Sequence, residues 1–395
     1  MSTKAQILRK SRVPYVRLGN SGLKVSKIIL GCMSYGSSEW RRWTLDEEEG
    51  IKHIKYAYDA GINAFDTADI YSNGLSEVVL GKAIKQHNIP REEIVVMTKL
   101  RHPVGKSISE EATQLFALGE AGLDAAGYVN QYGLSRKHIF ASVKGSLERL
   151  GLEYIDLLQL HRFDYGTPIE ETMRALHDVV QAGWVRYIGM GSCYAWQFHI
   201  MQNYALSHNL TPFISMQNHV NLLYREEERE MLPTLKHFGV GCIPWSPLAR
   251  GALTRPAPTP EACMKAAARL AWMNPGAGSA APPAQPEQAA DPNQSTRQAS
   301  DELPSEIYFI VAGGTTGSRD IVKRVGEVAT KLGASMAQVA LAWLMSKDGI
   351  TAPIVGTTST EKLDDLIGAC DVKLAEEDVK YLEAAYKPVA VFAQN

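Results

Sequence analysis

Residues 63–77 read Asn-Ala-Phe-Asp-Thr-Ala-Asp-Ile-Tyr-Ser-Asn-Gly-Leu-Ser-Glu, and this stretch joins a strand to a helix. The apolar pair Ala64-Phe65 is typical of the buried end of a strand, and Ser72-Asn-Gly begins the helix. A carboxylate, Asp66, and a phenol, Tyr71, therefore lie in one strand-to-helix loop. The same strand-then-helix unit recurs along the chain, and the number of repeats decides the fold.

Eight such units are predicted. The strands are at residues 28–31, 64–66, 94–99, 154–160, 185–189, 213–217, 241–245 and 351–355. The helices are at residues 45–60, 76–86, 136–150, 169–181, 196–207, 225–238, 320–332 with 336–346, and 360–369. An open doubly wound sheet usually ends at about five or six strands, so eight units predict an α/β protein with a closed (β/α)8 TIM barrel. Residues 15–26 predict an N-terminal β-hairpin that turns at Asn20-Ser-Gly, and C-terminal helices complete the chain.

Composition excludes several classes of protein. Of 395 residues, 45% are hydrophobic and 21% are charged, as in a well-cored globule, and the net charge of −2 gives no basic field for nucleic acid or anionic lipid. Five cysteines without a Cys-x-x-Cys pair or a histidine at ligand spacing predict no metal site and favour a reducing compartment. No segment resembles a signal peptide, and no apolar run approaches about 18 residues, so the predicted location is the cytoplasm.

The chain is predicted to form a single domain spanning residues 1–395, and two stretches interrupt its alternation of strands and helices. Residues 103–133 follow no clear pattern apart from a predicted surface helix at 109–118. Residues 256–304 are rich in Ala, Pro, Gln, Ser and Gly, which predicts a low-complexity, largely disordered insertion. Both follow strands and should emerge at the carboxyl face, either as substrate-covering lids or as tolerated excursions. The Gly-rich run 313–317 lacks the Lys-Ser/Thr of a phosphate loop and is interpreted as a hinge.

Polar residues follow three successive strands at equivalent places. Lys99 ends the third strand and His161 follows the fourth, in addition to Asp66 and Tyr71 after the second. Because the carboxyl ends of barrel strands meet at one face, we expect these four side chains to lie together. Each alone has an ordinary structural explanation, such as a helix cap or a surface lysine. The joint pattern predicts a site.

At this point the chain resembles the aldo-keto reductases, in particular the fungal branch near aryl-alcohol dehydrogenases and versiconal hemiacetal acetate reductases. The resemblance covers nearly the whole chain outside the second insertion and part of the first. It is carried by Ala64-Phe-Asp-Thr-Ala-Asp-Ile-Tyr, Leu158-Gln-Leu-His, Gln217-Asn-x-x-Asn-Leu-Leu, Trp245-Ser-Pro-Leu-Ala-Arg-Gly and Pro353-Ile-Val-Gly-Thr. The family implies a barrel whose amino end is closed by the hairpin, and the use of NADP(H) without a metal.

The family also implies a role for each of the four converging residues. Tyr71 would be the general acid that protonates a carbonyl oxygen as hydride arrives at the carbon. The pKa of a free tyrosine is about 10, so we expect Lys99 to lower it and Asp66 to keep Lys99 charged and oriented. His161 would donate a hydrogen bond to the carbonyl oxygen or relay the proton.

The cofactor residues that the resemblance implies follow the later strands. Trp245 would stack on the nicotinamide, Gln217 would contact its carboxamide, and Ser192 is a further predicted cofactor contact. The predicted phosphate and adenosine contacts are Ser246, Leu248, Arg250, Gly251, Gly356, Thr357, Lys362 and Asp365. Among these, Lys362 occupies the place of a common 2′-phosphate ligand and therefore favours NADP(H), and a helix N-terminus after Thr357 suits phosphate.

The chain also departs from the family pattern. Gly191-Ser192 replaces the usual Ser-Asn, and Leu366 replaces a frequent adenine-binding asparagine, so the cofactor is expected to bind more weakly or with different anchors.

The predicted substrate contacts are Met33, Tyr35 and Phe163, which favour a flat aromatic or polyketide-derived carbonyl compound over a sugar. No arginine clamp for an acidic substrate is evident. The predicted function is thus NADPH-dependent reduction of an aldehyde or ketone to the alcohol. Two alternatives stay open: a non-catalytic NADP-binding regulatory subunit, and a non-redox, dehydration-type step on a polyketide. Neither a nucleic acid nor a membrane is a predicted partner, and the oligomeric state is open.

Overall fold

An eight-stranded parallel sheet forms the centre of the molecule, in a computed structural model that describes residues 11–110, 112–271, 305, 307–310 and 316–391. The described strands are β1 (Tyr15–Arg17), β2 (Lys24–Ser26), β3 (Ile29–Gly31), β4 (Tyr35–Gly36), β5 (Leu45–Asp46), β6 (Ala64–Asp66), β7 (Val95–Leu100), β8 (Ile155–Leu160), β9 (Val185–Gly191), β10 (Phe213–Gln217), β11 (Gly241–Cys242) and β12 (Ile354–Val355). Their order in the sheet is β11-β10-β9-β8-β7-β6-β3-β12. Thr351 N donates to Cys242 O at 2.7 Å, which joins the two ends of the sheet. The predicted (β/α)8 barrel is confirmed.

The hairpin of β1 and β2 closes the amino end of the barrel, as expected. Leu18 and Val25 are fully buried. They pack into one apolar cluster, the amino-end plug, with Ile29, Ala64, Val95, Met97, Leu157, Ile243, Ala352 and Ile354. Asn20 N donates to Gly239 O at 2.7 Å and fixes the tip of the hairpin.

Helices surround the sheet and bury their apolar faces against it in the main core. They are α1 (Glu47–Ala60), α2 (Leu75–Gln86), α3 (Ala112–Ala117), α4 (Gly119–Ala125), α5 (Arg136–Leu150), α6 (Ile169–Gln181), α7 (Ala195–Ser207), α8 (Met231–Phe238), α9 (Pro260–Ala271), α10 (Ile307–Ile310), α11 (Thr316–Leu332), α12 (Met336–Ser346), α13 (Thr360–Gly368) and α14 (Glu376–Glu383). Gly151 and Gly239 end α5 and α8 in the left-handed region, with φ of 63° and 68°.

Among the described helices no single one is long and apolar enough to cross a membrane. By length and composition, only the bent pair Gly317–Leu332 and Met336–Ser346 passes that test.

The inward positions of the strands change from apolar to polar along the barrel. Side chains alternate in a strand, so every second residue faces the interior. In β7, Val95 and Met97 belong to the amino-end plug and Lys99 is the next inward residue. In β8, Leu157 is followed by Gln159 in the same way. The polar part of the interior therefore lies at the carboxyl ends of the strands.

The structure differs from the sequence prediction in several connections. The start of the insertion predicted to be disordered is helical, since α9 covers 260–271; the remainder, 272–304, lies outside the described residues. Proline at the first helical position and the alanines that follow suit a helix, which composition alone concealed. The short ribbon β4–β5 and helix α4 were not predicted, and α8 begins only at Met231, after a 3-10 turn. Of the predicted hinge, residues 313–315 lie outside the described residues.

Candidate active site

Asp66, Lys99 and Tyr71 form a hydrogen-bonded chain at the carboxyl ends of β6 and β7. Lys99 Nζ donates to Asp66 Oδ2 at 2.6 Å and lies 3.3 Å from the Tyr71 hydroxyl. The Lys99 and Asp66 side chains are 1% and 3% exposed, so the ion pair is desolvated and each partner depends on the other. The His161 ring stands edge-on to Tyr71, with 5.8 Å between the ring centroids. The four residues predicted to converge are together.

Two glutamines hold Asp66 from the other side. Gln159 Nε2 donates to Asp66 Oδ1 at 2.8 Å, and Gln217 Nε2 donates to the same oxygen at 3.0 Å and to Gln159 Oε1 at 2.9 Å. A buried network of this kind fixes the carboxylate in one position. Gln159 was not among the predicted site residues, although a polar side chain at an inward position of an apolar strand is itself a signal.

The turn after Tyr71 is held in an uncommon backbone conformation. Ser72 and Asn73 both have a φ of 48°, in the left-handed region. Asn73 Nδ2 donates to Ser107 O at 2.8 Å, and Gly105 N donates to Asn73 Oδ1 at 3.2 Å. These bonds offset the cost of the turn and fasten the segment that carries the phenol to the first insertion.

Burial and charge set the protonation of the tetrad. Burial raises the pKa of Tyr71, and the positive charge of Lys99 lowers it only part of the way back. The predicted effect of Lys99 has the right sign, but burial outweighs it, so the phenol is protonated at neutral pH. Burial opposes the charge of Lys99, yet Asp66 and Tyr71 raise the pKa of this ammonium above its ordinary value. Burial, with the nearby His102 and Lys99, holds the pKa of His161 well below its ordinary value, which leaves the imidazole neutral.

The first insertion approaches the tetrad through two rings. His102 lies between His161 and Phe116 of α3, with ring centroids 5.0 Å and 4.4 Å away. Phe116 is an exposed large apolar residue, 45% accessible. The insertion therefore carries an apolar side chain to the neighbourhood of His161, although sequence reasoning gave it no residue of the site.

A stack of rings lies beside the tetrad. Trp245 is partly exposed and packs on His219, with 4.1 Å between centroids and 13° between planes, and His219 packs in turn on Tyr224. Trp245 Nε1 donates to Ser192 Oγ at 2.9 Å. The indole is thus held rigidly from one side, which makes it a flat platform. The amide donors of Gln217 are used by Asp66 and Gln159, which leaves its Oε1 to accept from an incoming amide.

The predicted phosphate loop follows Trp245. Ser246, Arg250 and Gly251 have φ of 48°, 54° and 94°, so the backbone turns sharply here. Leu248 is partly buried against the main core. Asn221 Nδ2 donates to Ser246 O at 3.0 Å and braces the loop.

The start of α13 presents the other predicted anchors. Gly356 and Lys362 are exposed, and the Ser359 hydroxyl caps the helix by accepting from Lys362 N at 3.2 Å. Free amides at a helix N-terminus and a nearby ammonium suit a phosphate group. Thr357 is buried and its hydroxyl donates to Ser359 O, while Asp365 accepts a hydrogen bond from Ser335 at 2.9 Å, so these two side chains brace the segment.

The three residues predicted to contact the substrate lie in different surroundings. Met33 packs with Tyr71 around the buried Trp40, and Phe163 packs on Tyr165, with centroids 5.0 Å apart. Tyr35 is instead fully buried in the main core, so it offers no surface to a substrate. Its strand β4 is covered by α1, an arrangement that the sequence did not reveal. Within the described residues no cluster of three or more His, Cys, Asp or Glu is arranged to hold a metal ion.

Comparisons with known proteins agree with this geometry. The family model described as "Aldo/keto reductase family" matches residues 27–387. A Schizosaccharomyces pombe protein, provisionally named an aryl-alcohol dehydrogenase, is 46% identical over 95% of this chain and 97% of its own. The versiconal hemiacetal acetate reductase of Aspergillus parasiticus is 43% identical over 95% of this chain and 98% of its own. The aldo-keto reductase AFTS1 of Alternaria alternata is 42% identical over 97% and 94%.

Proposed function

The chain belongs to the aldo/keto reductase family, and from that premise we propose that it reduces an aldehyde or ketone to the alcohol with NADPH, using Tyr71 as the proton donor. One observation carries the proposal. The Tyr71 hydroxyl lies 3.3 Å from Lys99 Nζ, which is itself bound to the buried Asp66. A protonated phenol beside a fixed ammonium is suited to release its proton as negative charge develops on a nearby oxygen.

Each side chain of the site has a separate role in the proposed reaction. Tyr71 donates the proton to the carbonyl oxygen, and Lys99 stabilises the phenolate that remains. Asp66 keeps Lys99 in place, and the bond from Gln159 keeps Asp66 in place. His161 is neutral, so it orients the carbonyl oxygen by a hydrogen bond and leaves proton transfer to Tyr71.

The residues present fit a nicotinamide dinucleotide. The Trp245 indole, packed on His219, suits a flat ring, and the nearby amide oxygen of Gln217 suits a carboxamide, with Ser192 holding the indole. Lys362 and the N-terminus of α13 suit the phosphates, and the extra ammonium supports NADPH over NADH. NADPH, when bound, supplies the hydride.

Two further features support a narrower assignment. Two relatives are named aryl-alcohol dehydrogenase and versiconal hemiacetal acetate reductase. These names and the apolar and aromatic residues near Tyr71 both favour an aromatic or polyketide-derived carbonyl compound as the substrate. All five cysteines are present as thiols, which supports a reducing compartment such as the cytoplasm.

Steady-state oxidation of NADPH with a panel of aromatic aldehydes and ketones tests the proposal. Wild type should turn over, and Tyr71→Phe should lose about 10²- to 10⁴-fold in kcat because the proton donor is gone. Its NADPH dissociation constant, measured by fluorescence, should stay within about threefold. Tyr381→Phe is the matched control, since that phenol donates to Glu327 on the helical layer and should not affect turnover.

Other outcomes identify the alternatives. NADPH binding without turnover of any substrate would favour a regulatory subunit. Conversion of a substrate without NADPH oxidation would indicate a non-redox reaction. Full activity of Tyr71→Phe would remove the proposed role of the phenol.

A further inference from the structure

Arg162 holds a fixed positive charge between two parts of the site. It follows His161 directly, and its Nη1 donates to the His161 carbonyl at 2.7 Å. Its guanidinium carbon lies 5.7 Å from the centroid of the Trp245 ring. The proposed function puts the substrate carbonyl beside His161 and the nicotinamide on Trp245. A partly exposed guanidinium therefore lines the space next to the acceptor.

No carboxylate neutralises this charge within the described part of the chain. Asp66 is bound to Lys99. Asp164, the next carboxylate along the chain, is buried and accepts from Leu134 N at 2.6 Å and from the Thr167 hydroxyl at 2.7 Å. These bonds tie it to its own loop and to the start of α5.

Arg162 keeps its charge although it is partly buried. Its pKa is lowered to about 10, mainly by burial, while Tyr71 raises this pKa and Arg101 lowers it, so the guanidinium is still charged at neutral pH. Arg101 itself is anchored by a bond from its Nε to Phe163 O at 3.0 Å. A cation that is held in place, partly desolvated and without an anionic partner is a recognition group for an anion.

We propose that Arg162 binds a carboxylate, or another anionic oxygen, on the substrate, so that the preferred substrates are carbonyl compounds that also carry an acidic group. This proposal rests on the proposed function, because it locates the acidic group relative to the reacting carbonyl. The N–H groups that Arg162 does not donate to His161 O would donate to the anionic oxygens. An arginine two residues after a strand end resembles any surface arginine, which is why the sequence did not reveal this contact.

A matched pair of aldehydes tests the proposal: para-formylbenzoate and its neutral methyl ester. For each aldehyde, kcat/KM would be measured with wild type, Arg162→Met and Arg162→Lys. Loss of a charged hydrogen bond predicts a decrease of about 10- to 100-fold for the acid in Arg162→Met, with less than about a threefold change for the ester. Arg162→Lys should recover part of the loss for the acid only.

Arg186→Met is the matched control. Arg186 has the same two kinds of contact, a bond from Nη1 to Gly183 O at 2.8 Å and a guanidinium 4.0 Å from the Tyr154 ring, but at the amino end of β9. Its substitution should leave both aldehydes unaffected.

Three results would overturn the proposal. Equal losses for acid and ester in Arg162→Met would show a general role instead of recognition of an anion. A rise in the NADPH dissociation constant that accounts for the whole loss would assign Arg162 to the cofactor phosphates. If wild type reduces neither aldehyde, the proposed function fails, and titration of benzoate with NADP⁺ present decides the matter separately: weaker binding to Arg162→Met supports recognition, and equal binding refutes it.

Discussion

The two halves of the barrel interior are built from the same strands, yet they differ in chemistry. Toward the amino end, Ala64, Met97 and Leu157 pack into the plug that the hairpin closes. Two residues further along β6, β7 and β8, the inward positions carry Asp66, Lys99 and Gln159, joined by hydrogen bonds. The strand alternation is unchanged, so the difference lies in residue type alone. The apolar packing at the amino end stabilises the barrel, and the carboxyl end of the same barrel contains the buried charges.

An ion pair near each end of the barrel sharpens this contrast. At the amino end, Arg91 binds Asp156 at 2.5 Å, and the same carboxylate oxygen accepts from Val96 N at 2.8 Å. That pair is completed by backbone groups and holds strands together. The Lys99–Asp66 pair instead reaches Tyr71, a partly exposed side chain and the proposed proton donor. A buried ion pair indicates function when its further partner is a reactive side chain.

Breaking the carboxyl-end pair should have the largest effect. Lys99→Met leaves Asp66 buried without its cation, so we expect the free energy of unfolding to fall by about 3 kcal/mol or more. We also expect kcat to fall by about 10²- to 10⁴-fold, because the phenolate loses its stabilising charge. Urea denaturation and steady-state kinetics measure both. Lys85→Met, on the exposed side of α2, is the control, and an active Lys99→Met would contradict the contrast.

Removing the anchor at α13 should affect only the cofactor. Lys362→Ala is expected to raise the NADPH dissociation constant by about tenfold and to leave that of NADH nearly unchanged, because only NADPH carries the 2′-phosphate. Fluorescence titration with each cofactor measures this. Lys373→Ala, an exposed lysine beyond the other end of α13, should change neither. Equal weakening of both cofactors would remove the basis for the NADPH preference.

Breaking the amino-end pair should separate stability from activity. Asp156→Asn weakens the bonds to Arg91 and Val96 N, so we expect a loss of about 1–3 kcal/mol in the free energy of unfolding. The kcat of the folded protein should change less than about twofold, since no atom of this pair reaches the site. A loss of kcat similar to that of Lys99→Met would mean that the two ends of the barrel are not functionally distinct.

Protonation of any one histidine near the carboxyl end of the barrel should have the smallest effect. Burial holds the pKa values of His102, His161 and His219 well below the ordinary value. Below a pH of about 6.5 the unfolded chain binds protons that the folded chain does not, so stability falls as pH falls. Each histidine should contribute about 1 kcal/mol between pH of about 6.5 and 5.5. In urea denaturation, His219→Phe should flatten this dependence, whereas the exposed His208→Asn should not.

Much of the fold could be predicted because strong local signals agree with the tertiary structure. The predicted limits of α5, α6 and β10 are those observed. Apolar periodicity and a glycine stop define such elements without reference to the rest of the chain. The ribbon β4–β5 is only two residues per strand, too short for a periodic signal, and α9 was hidden in a low-complexity composition.

The site was predictable to the extent that strand ends converge. That rule places Asp66, Lys99 and His161 at one face. It cannot show burial of the phenol, which outweighs the effect of Lys99 on its pKa, or the enclosure of Tyr35 in the core. It also cannot show that Arg162 lies against Trp245, because that contact joins segments far apart in the chain.

The hydrogen bonds between Asn73 and the first insertion, residues 103–133, have an evolutionary consequence. Gly105 approaches so closely that a Cβ there would lie 2.5 Å from the Asn73 amide nitrogen. A change of backbone position at Gly105 would therefore displace Asn73, which lies two residues after Tyr71. We therefore expect substitutions in this insertion to change turnover together with substrate preference, so that the two properties would evolve as one linked trait.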